Sequence, residues 1–234
     1  MNGLPAARDA DCVPGGLPAA VLFDMDGTLI DTEHLWMRCE QSIMQRLGGD
    51  WSEHDQLACL GNPLADVIAY MSARATVEHT IDEVEDALIG EMEHLLRTTD
   101  LRWQPGARDL LHECGELGLP TALVTASWER LVRAVRESID ADLHASGFTV
   151  IVAGDHVVNG KPHPEPYLRA AQSLAVPIGH CLAIEDSPAG VTSAVASGAR
   201  VIAVPQIADV DIAGAHVVAS LAGSSVSGLW AAAG

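Results

Sequence analysis

From residue 105 onward the sequence alternates short apolar runs with amphipathic stretches, and this alternation restricts the fold more than any other feature. After Pro105-Gly106 a helical pattern runs to about Leu117, an apolar strand covers Thr121 to Val124, a helix spans Trp128 to Ser138, and a strand follows from Thr149 to Ala153. The series continues with a helix from Pro164 to Leu174, a strand from Cys181 to Ile184, a helix from Pro188 to Ser197 and a strand from Arg200 to Val204. Strands that are apolar throughout, each separated from the next by a helix, fit a parallel sheet covered on both faces. One earlier run belongs to the same series: Ala19-Ala20-Val21-Leu22-Phe23, which stops abruptly at Asp24-Met25-Asp26-Gly27-Thr28.

Between that first strand and the rest, residues 33 to about 98 carry only helical signals. Trp36, Cys39, Ile43, Met44 and Leu47 recur at helical spacing from Glu33 until Gly48-Gly49 ends the pattern. A second short helix is predicted from Ala65 to Ala73. A third opens at Thr80, where Thr80 and Glu83 have capping-box spacing and Ile81, Val84, Leu88, Met92 and Leu95 continue the stripe. The predicted fold class is α/β, a doubly wound parallel sheet with an inserted all-helical cap. Residues 1–18 read as a flexible leader, 19–32 and 99–234 as the core, and 33–98 as the cap.

Composition narrows the partners. Thirty-two acidic residues against 13 basic ones give a net charge of −19, which nucleic acid and anionic membranes would repel. No apolar run approaches the roughly 18 residues of a membrane span, and the N-terminus lacks the basic-then-apolar order of a signal peptide. The five cysteines (Cys12, Cys39, Cys59, Cys114, Cys181) are widely spaced and form no C-x-x-C, so neither a disulfide framework nor a zinc site is expected. A cytoplasmic protein, monomeric or homodimeric, is the expectation.

In open α/β sheets ligands bind beyond the carboxyl ends of the strands. The residues found there are Asp24 and Asp26, Thr125 and Ser127, Lys161, and Glu185 with Asp186. Each has an ordinary structural reading. Asp-Gly is common in turns, Thr125 can bond its own backbone, and Glu185-Asp186-Ser187-Pro188 is a good helix start. Lys161 stands out as the single lysine among 13 basic residues. A compact ammonium can touch a carboxylate and a phosphoryl oxygen at once, where a planar guanidinium is wider.

Taken together the motifs are identified as those of the haloacid dehalogenase superfamily, in its sugar-phosphate phosphatase and β-phosphoglucomutase-like branch. The residues that carry the resemblance are Asp24-Met25-Asp26-Gly27-Thr28, Val124-Thr125-Ala126-Ser127, Lys161-Pro162-His163-Pro164 and Ile184-Glu185-Asp186-Ser187-Pro188-Ala189-Gly190, in that order. The resemblance implies a Rossmann-like core and a small phosphorylated metabolite as substrate. It implies attack on phosphorus by Asp24, with Asp26 as the acid and base and a Mg²⁺ ion held by Asp24, the Asp26 carbonyl and Asp186, with Glu185 either a further ligand or a support behind them. Lys161, Thr125, Ser127 and the N–H groups around Gly27 and Ala126 would hold the transferring oxygens.

Mutases resembling this branch place a His where this chain has Trp36, and an indole cannot relay a proton. That departure favours a phosphatase over a phosphomutase. The loop Leu60-Gly61-Asn62-Pro63-Leu64 also lacks the basic residue that sugar-phosphate members often carry, leaving Asn62, Trp36 and His34 as candidate substrate contacts. Two further readings are a dehalogenase, which needs neither Asp26 nor a metal, and a receiver-like phospho-acceptor module, which is shorter and has no cap.

Overall fold

The computed structural model describes residues 16–100, 102–143, 147–206 and 210–234. Most of the expected leader, and Cys12 with it, lies outside these residues. The core is a six-stranded sheet in the order β3-β2-β1-β4-β5-β6, with every neighbouring pair parallel. Its strands are β1 (Ala20–Phe23), β2 (Thr121–Val124), β3 (Val150–Val152), β4 (Cys181–Glu185), β5 (Arg200–Ala203) and β6 (Ala215–Val217). The chain reverses its winding between β1 and β4, the switch point at which such sheets open a crevice.

Alternation along the strands divides the core in two. Val21, Phe23, Leu123, Leu182, Ile184 and Ile202 face one side, together with α5 (Ala107–Glu116), α6 (Glu129–Leu143) and α9 (Val226–Ala232). Ala20, Leu22, Ala122, Val124, Ala183 and Val201 face the other, under α7 (Glu165–Ser173) and α8 (Pro188–Ser197). Strands buried on both faces explain why they read as unbroken apolar runs.

Four helices are inserted between β1 and α5: α1 (Glu33–Arg46), α2 (Glu53–Cys59), α3 (Leu64–Ser72) and α4 (Ile81–Thr98). Thr80 and Glu83 form the expected capping box. Leu35, Cys39, Ile43 and Met44 of α1 pack with Leu88, Met92 and Leu95 of α4 in the same apolar cluster as the first sheet face. The insertion is thus packed continuously against the sheet layer.

Three elements escape the sequence pattern. Helix α2 is only seven residues long, and its capping box pairs Ser52 with Asp55 where Glu or Gln is usual. Strand β6 is an edge of three largely exposed residues, and α9 is short and rich in Ala, Ser and Gly. Helix α6 also runs five residues past the expected end at Ser138.

Gly106 opens α5 at φ +84°, and a β-carbon there would strike the Leu221 carbonyl. Gly118 has φ +65° with open space around it. In urea denaturation Gly118→Ala should cost about 1 kcal/mol of backbone strain, whereas Gly106→Ala should cost at least about 2 kcal/mol more because the segment before α9 must move. Equal losses would contradict this packing.

Candidate active site

Asp24 follows β1, and Glu185 and Asp186 end β4, so the β1–β4 pairing sets their carboxylates side by side. One oxygen from each of the three lies within 4.8 Å of the others. Lys161, only 2% exposed, reaches in from the loop after β3. Its Nζ donates to Asp24 Oδ1 at 2.6 Å, to the Val124 carbonyl at 3.0 Å and to Glu185 Oε1.

Glu185 is fully buried and fully engaged. Its Oε1 also accepts from the Tyr167 hydroxyl at 2.9 Å, and its Oε2 from the main-chain N–H groups of Asp186 at 3.0 Å and Ser187 at 3.3 Å. Gly190 is obligatory beside it, since a β-carbon there would overlap the Glu185 carboxylate. Tyr167 was not legible as a site residue: on α7 it reads as one more member of an apolar face.

Asp26 is held on the opposite, cap-facing side. Its Oδ1 accepts from Thr32 Oγ1 at 2.6 Å and Trp36 Nε1 at 3.2 Å, and its Oδ2 from Ser127 Oγ at 2.8 Å and, more loosely, Thr125 Oγ1 at 3.5 Å. Thr32, at the entry to the inserted helices, is therefore a direct partner of Asp26. Trp36 sits half-buried with its indole N–H on that carboxylate.

Two expectations need correction. The Gly27 N–H donates to the Ile30 carbonyl at 2.9 Å and is not turned to a ligand. Gly27 matters for a different reason: at φ +80° it leaves room for the Asp186 carboxylate, which a β-carbon would strike. Asp186 then accepts from Thr28 Oγ1 at 3.0 Å. His34 points away, exposed beside Asp31, and does not line the cleft. Ala126 and Asn62 do line it, although the Asn62 amide donates to the Ala58 carbonyl at 2.9 Å.

The cleft lies between the core and the inserted helices and is open to solvent on one side. Its core side carries an excess of negative charge. Burial, and then Glu185, push Asp24 up to about 8 despite the adjacent ammonium. Burial, then Asp24 and Glu185, hold Asp186 well above the usual carboxylate range. For Lys161 burial pulls downward, but the two carboxylates outweigh it and raise it above the ordinary lysine value. Three buried carboxyl groups facing one ammonium are an oxygen donor set with unbalanced charge, which suits a hard divalent cation.

Residues 21–204 match the sequence profile of the haloacid dehalogenase-like hydrolases, more than half of the chain. The chain belongs to that family. Among its relatives, hexitol phosphatase B of Escherichia coli K12 is 34% identical over 188 residues, covering 80% of this chain and 83% of that protein. Protein CbbY of Rhodobacter capsulatus is 31% identical over 192 residues, covering 80% and 85%. The crystal structure of CbbY from Rhodobacter sphaeroides in complex with phosphate superposes with a TM-score of 0.79 at 28% identity, covering 91% of this chain and 99% of that one. A point mutant of that CbbY has been solved with xylulose-(1,5)-bisphosphate. As a capped haloacid dehalogenase-like hydrolase with six parallel strands, the chain leaves no place for the receiver-like reading.

The cap side of the cleft holds residues the sequence pattern did not single out: Glu33, Glu40 and Gln56. Glu40 shares the apolar face of α1 with Trp36, Cys39 and Ile43, and an acid inside such a stripe is the signal that could have found it. Burial pushes it up to about 8, against the hydrogen bond from Trp51 Nε1 at 2.8 Å, from a usual 4.5. The folded protein thus keeps a proton that the unfolded chain loses, so stability from this group is full below about pH 4.5 and is lost as pH rises through about 8. Thermal midpoints should show Glu40→Gln gaining on the wild type between pH 5 and 8, by about 2–4 °C for each kcal/mol. A midpoint of Glu40→Gln that falls further behind the wild type as pH rises would contradict the assignment.

Proposed function

We propose that this chain is a Mg²⁺-dependent phosphatase that hydrolyses the phosphate monoester of a small sugar or polyol through an aspartyl phosphate on Asp24. The observation that carries the reading is the position of Lys161, whose ammonium fixes one Asp24 oxygen while Asp26 is held separately on the cap side. Nucleophile and proton donor thus approach a phosphoryl group from different directions. The phosphatase names of the relatives point the same way.

Asp24 and Asp186 with the Asp26 main-chain carbonyl suit a Mg²⁺ ion, which when bound would neutralise the phosphoryl oxygens and let Asp24 approach as an anion. Glu185, both of whose oxygens already accept hydrogen bonds, acts by orienting Lys161. Asp24 attacks phosphorus and the Asp26 carboxyl delivers its proton to the departing alkoxide oxygen. Asp26 then takes a proton from the water that cleaves the acyl phosphate. Lys161, Thr125, Ser127 and the Ala126 N–H hold the transferring oxygens; that N–H donates to nothing else among the described residues. The cap, residues 33–98, turns about Asp31-Thr32 and excludes bulk water. The free, buried Cys39, Cys59, Cys114 and Cys181 fit a reducing cytoplasm.

A phosphomutase is the second reading. Trp36 on Asp26 weighs against it, since that position offers an indole donor and no proton relay. With Mg²⁺ and a hexitol monophosphate the protein should release inorganic phosphate, EDTA should abolish release, and Asp24→Asn should lower kcat by about 10⁴ or more. Conversion of a sugar 1-phosphate to an isomer with organic phosphate conserved would establish the mutase instead.

A further inference from the structure

Apart from Lys161, which is already engaged by Asp24 and Glu185, the described residues lining the cleft include no cation. The cap half presents acceptors. Glu33, Trp36 and Glu40 stand at i, i+3 and i+7 on one face of α1, a stripe about 10 Å long. Glu33 is at the Asp26 end, with Gln56 Nε2 on its carbonyl at 3.0 Å and on Oε2 at 3.2 Å. Glu40 is at the far end and only 4% exposed. One of its oxygens accepts from Trp51, while the other has no donor among the described residues and opens on the cleft. A carboxyl group that lines the cleft and keeps its proton can both donate to and accept from a ligand hydroxyl.

Resting on the phosphatase reading above, we propose that Glu33 and Glu40 are the specificity residues of the cleft. They exchange hydrogen bonds with the hydroxyl groups of a neutral, polyhydroxylated leaving group that carries a single phosphate, and they offer no counter-charge to one that carries a second phosphate or a carboxylate. The stripe runs from the acid that protonates the leaving oxygen into the cap, so an extended polyol chain lies along it with its first hydroxyls at Glu33 and its distal ones at Glu40. A second anion at the distal end would be desolvated beside two carboxyl groups with no cation to neutralise it, and burying an unpaired charge is strongly disfavoured.

Steady-state kinetics of the full chain with Mg²⁺ test this on three substrates: a hexitol monophosphate, the matching bisphosphate, and p-nitrophenyl phosphate, which has no hydroxyl. The wild type should favour monophosphate over bisphosphate by about a hundredfold in kcat/KM. Glu33→Gln and Glu40→Gln should each lower kcat/KM for the hexitol monophosphate by at least about tenfold, mainly through KM, with a several-fold smaller loss on p-nitrophenyl phosphate. Both should keep the penalty on the bisphosphate, since an amide supplies no counter-charge. Glu40→Gln keeps an amide oxygen for Trp51, so its folding survives the change. Equal losses on both monoesters, or a wild type that accepts the bisphosphate as readily, would overturn the proposal while leaving the phosphatase reading intact. Failure of the wild type to turn over any of the three would remove both.

Discussion

A lysine ammonium buried between two carboxylates, at the point where a parallel sheet changes its direction of winding, is the contact on which the rest of the site depends. Lys161 bonds Asp24, Glu185 and the Val124 carbonyl, and so links the ends of β1, β2 and β4. Removing one member of such a group strands the others without compensation. Tyr167 and the N–H groups of Asp186 and Ser187 complete the Glu185 shell, so that residue is fixed before any ligand arrives. Asp24 and Asp186 are left with more negative charge than Lys161 balances, and this imbalance, more than any single distance, marks the place for a divalent cation.

The two aspartates two residues apart in sequence are separated by what holds them. Asp24 belongs to the sheet and its lysine. Asp26 belongs to the first turn of the insertion and the β2 loop, through Thr32, Trp36 and Ser127. A change in the position of α1 therefore acts on the proton donor before it acts on the nucleophile. The same helix carries Glu33 and Glu40, so leaving-group recognition and proton delivery share one rigid element.

Much of this was legible in the chain. β2 and α8 begin and end where the apolar pattern places them, because strands buried on two faces and helices with clear caps leave strong local signals. Asp24, Asp26, Lys161, Glu185 and Asp186 announced themselves as polar residues at strand ends. What stayed hidden depends on tertiary contact. Tyr167 reads as core until the sheet brings Glu185 to its hydroxyl. Gly27 reads as a phosphate cradle until its N–H is found on Ile30 and its missing side chain against Asp186. Helix α2, at seven residues, is too short for periodicity to reveal.

The central claim is that Asp24, held by Lys161, becomes covalently phosphorylated and is then released by water. Rapid quench of the Mg²⁺-loaded protein with a hexitol monophosphate, followed by reductive trapping and peptide mass spectrometry, tests it most directly. A transient, hydroxylamine-sensitive phosphoryl group on Asp24 should appear and then disappear as inorganic phosphate is formed. Phosphate release with no covalent adduct at any time, or an adduct on another residue, would contradict it.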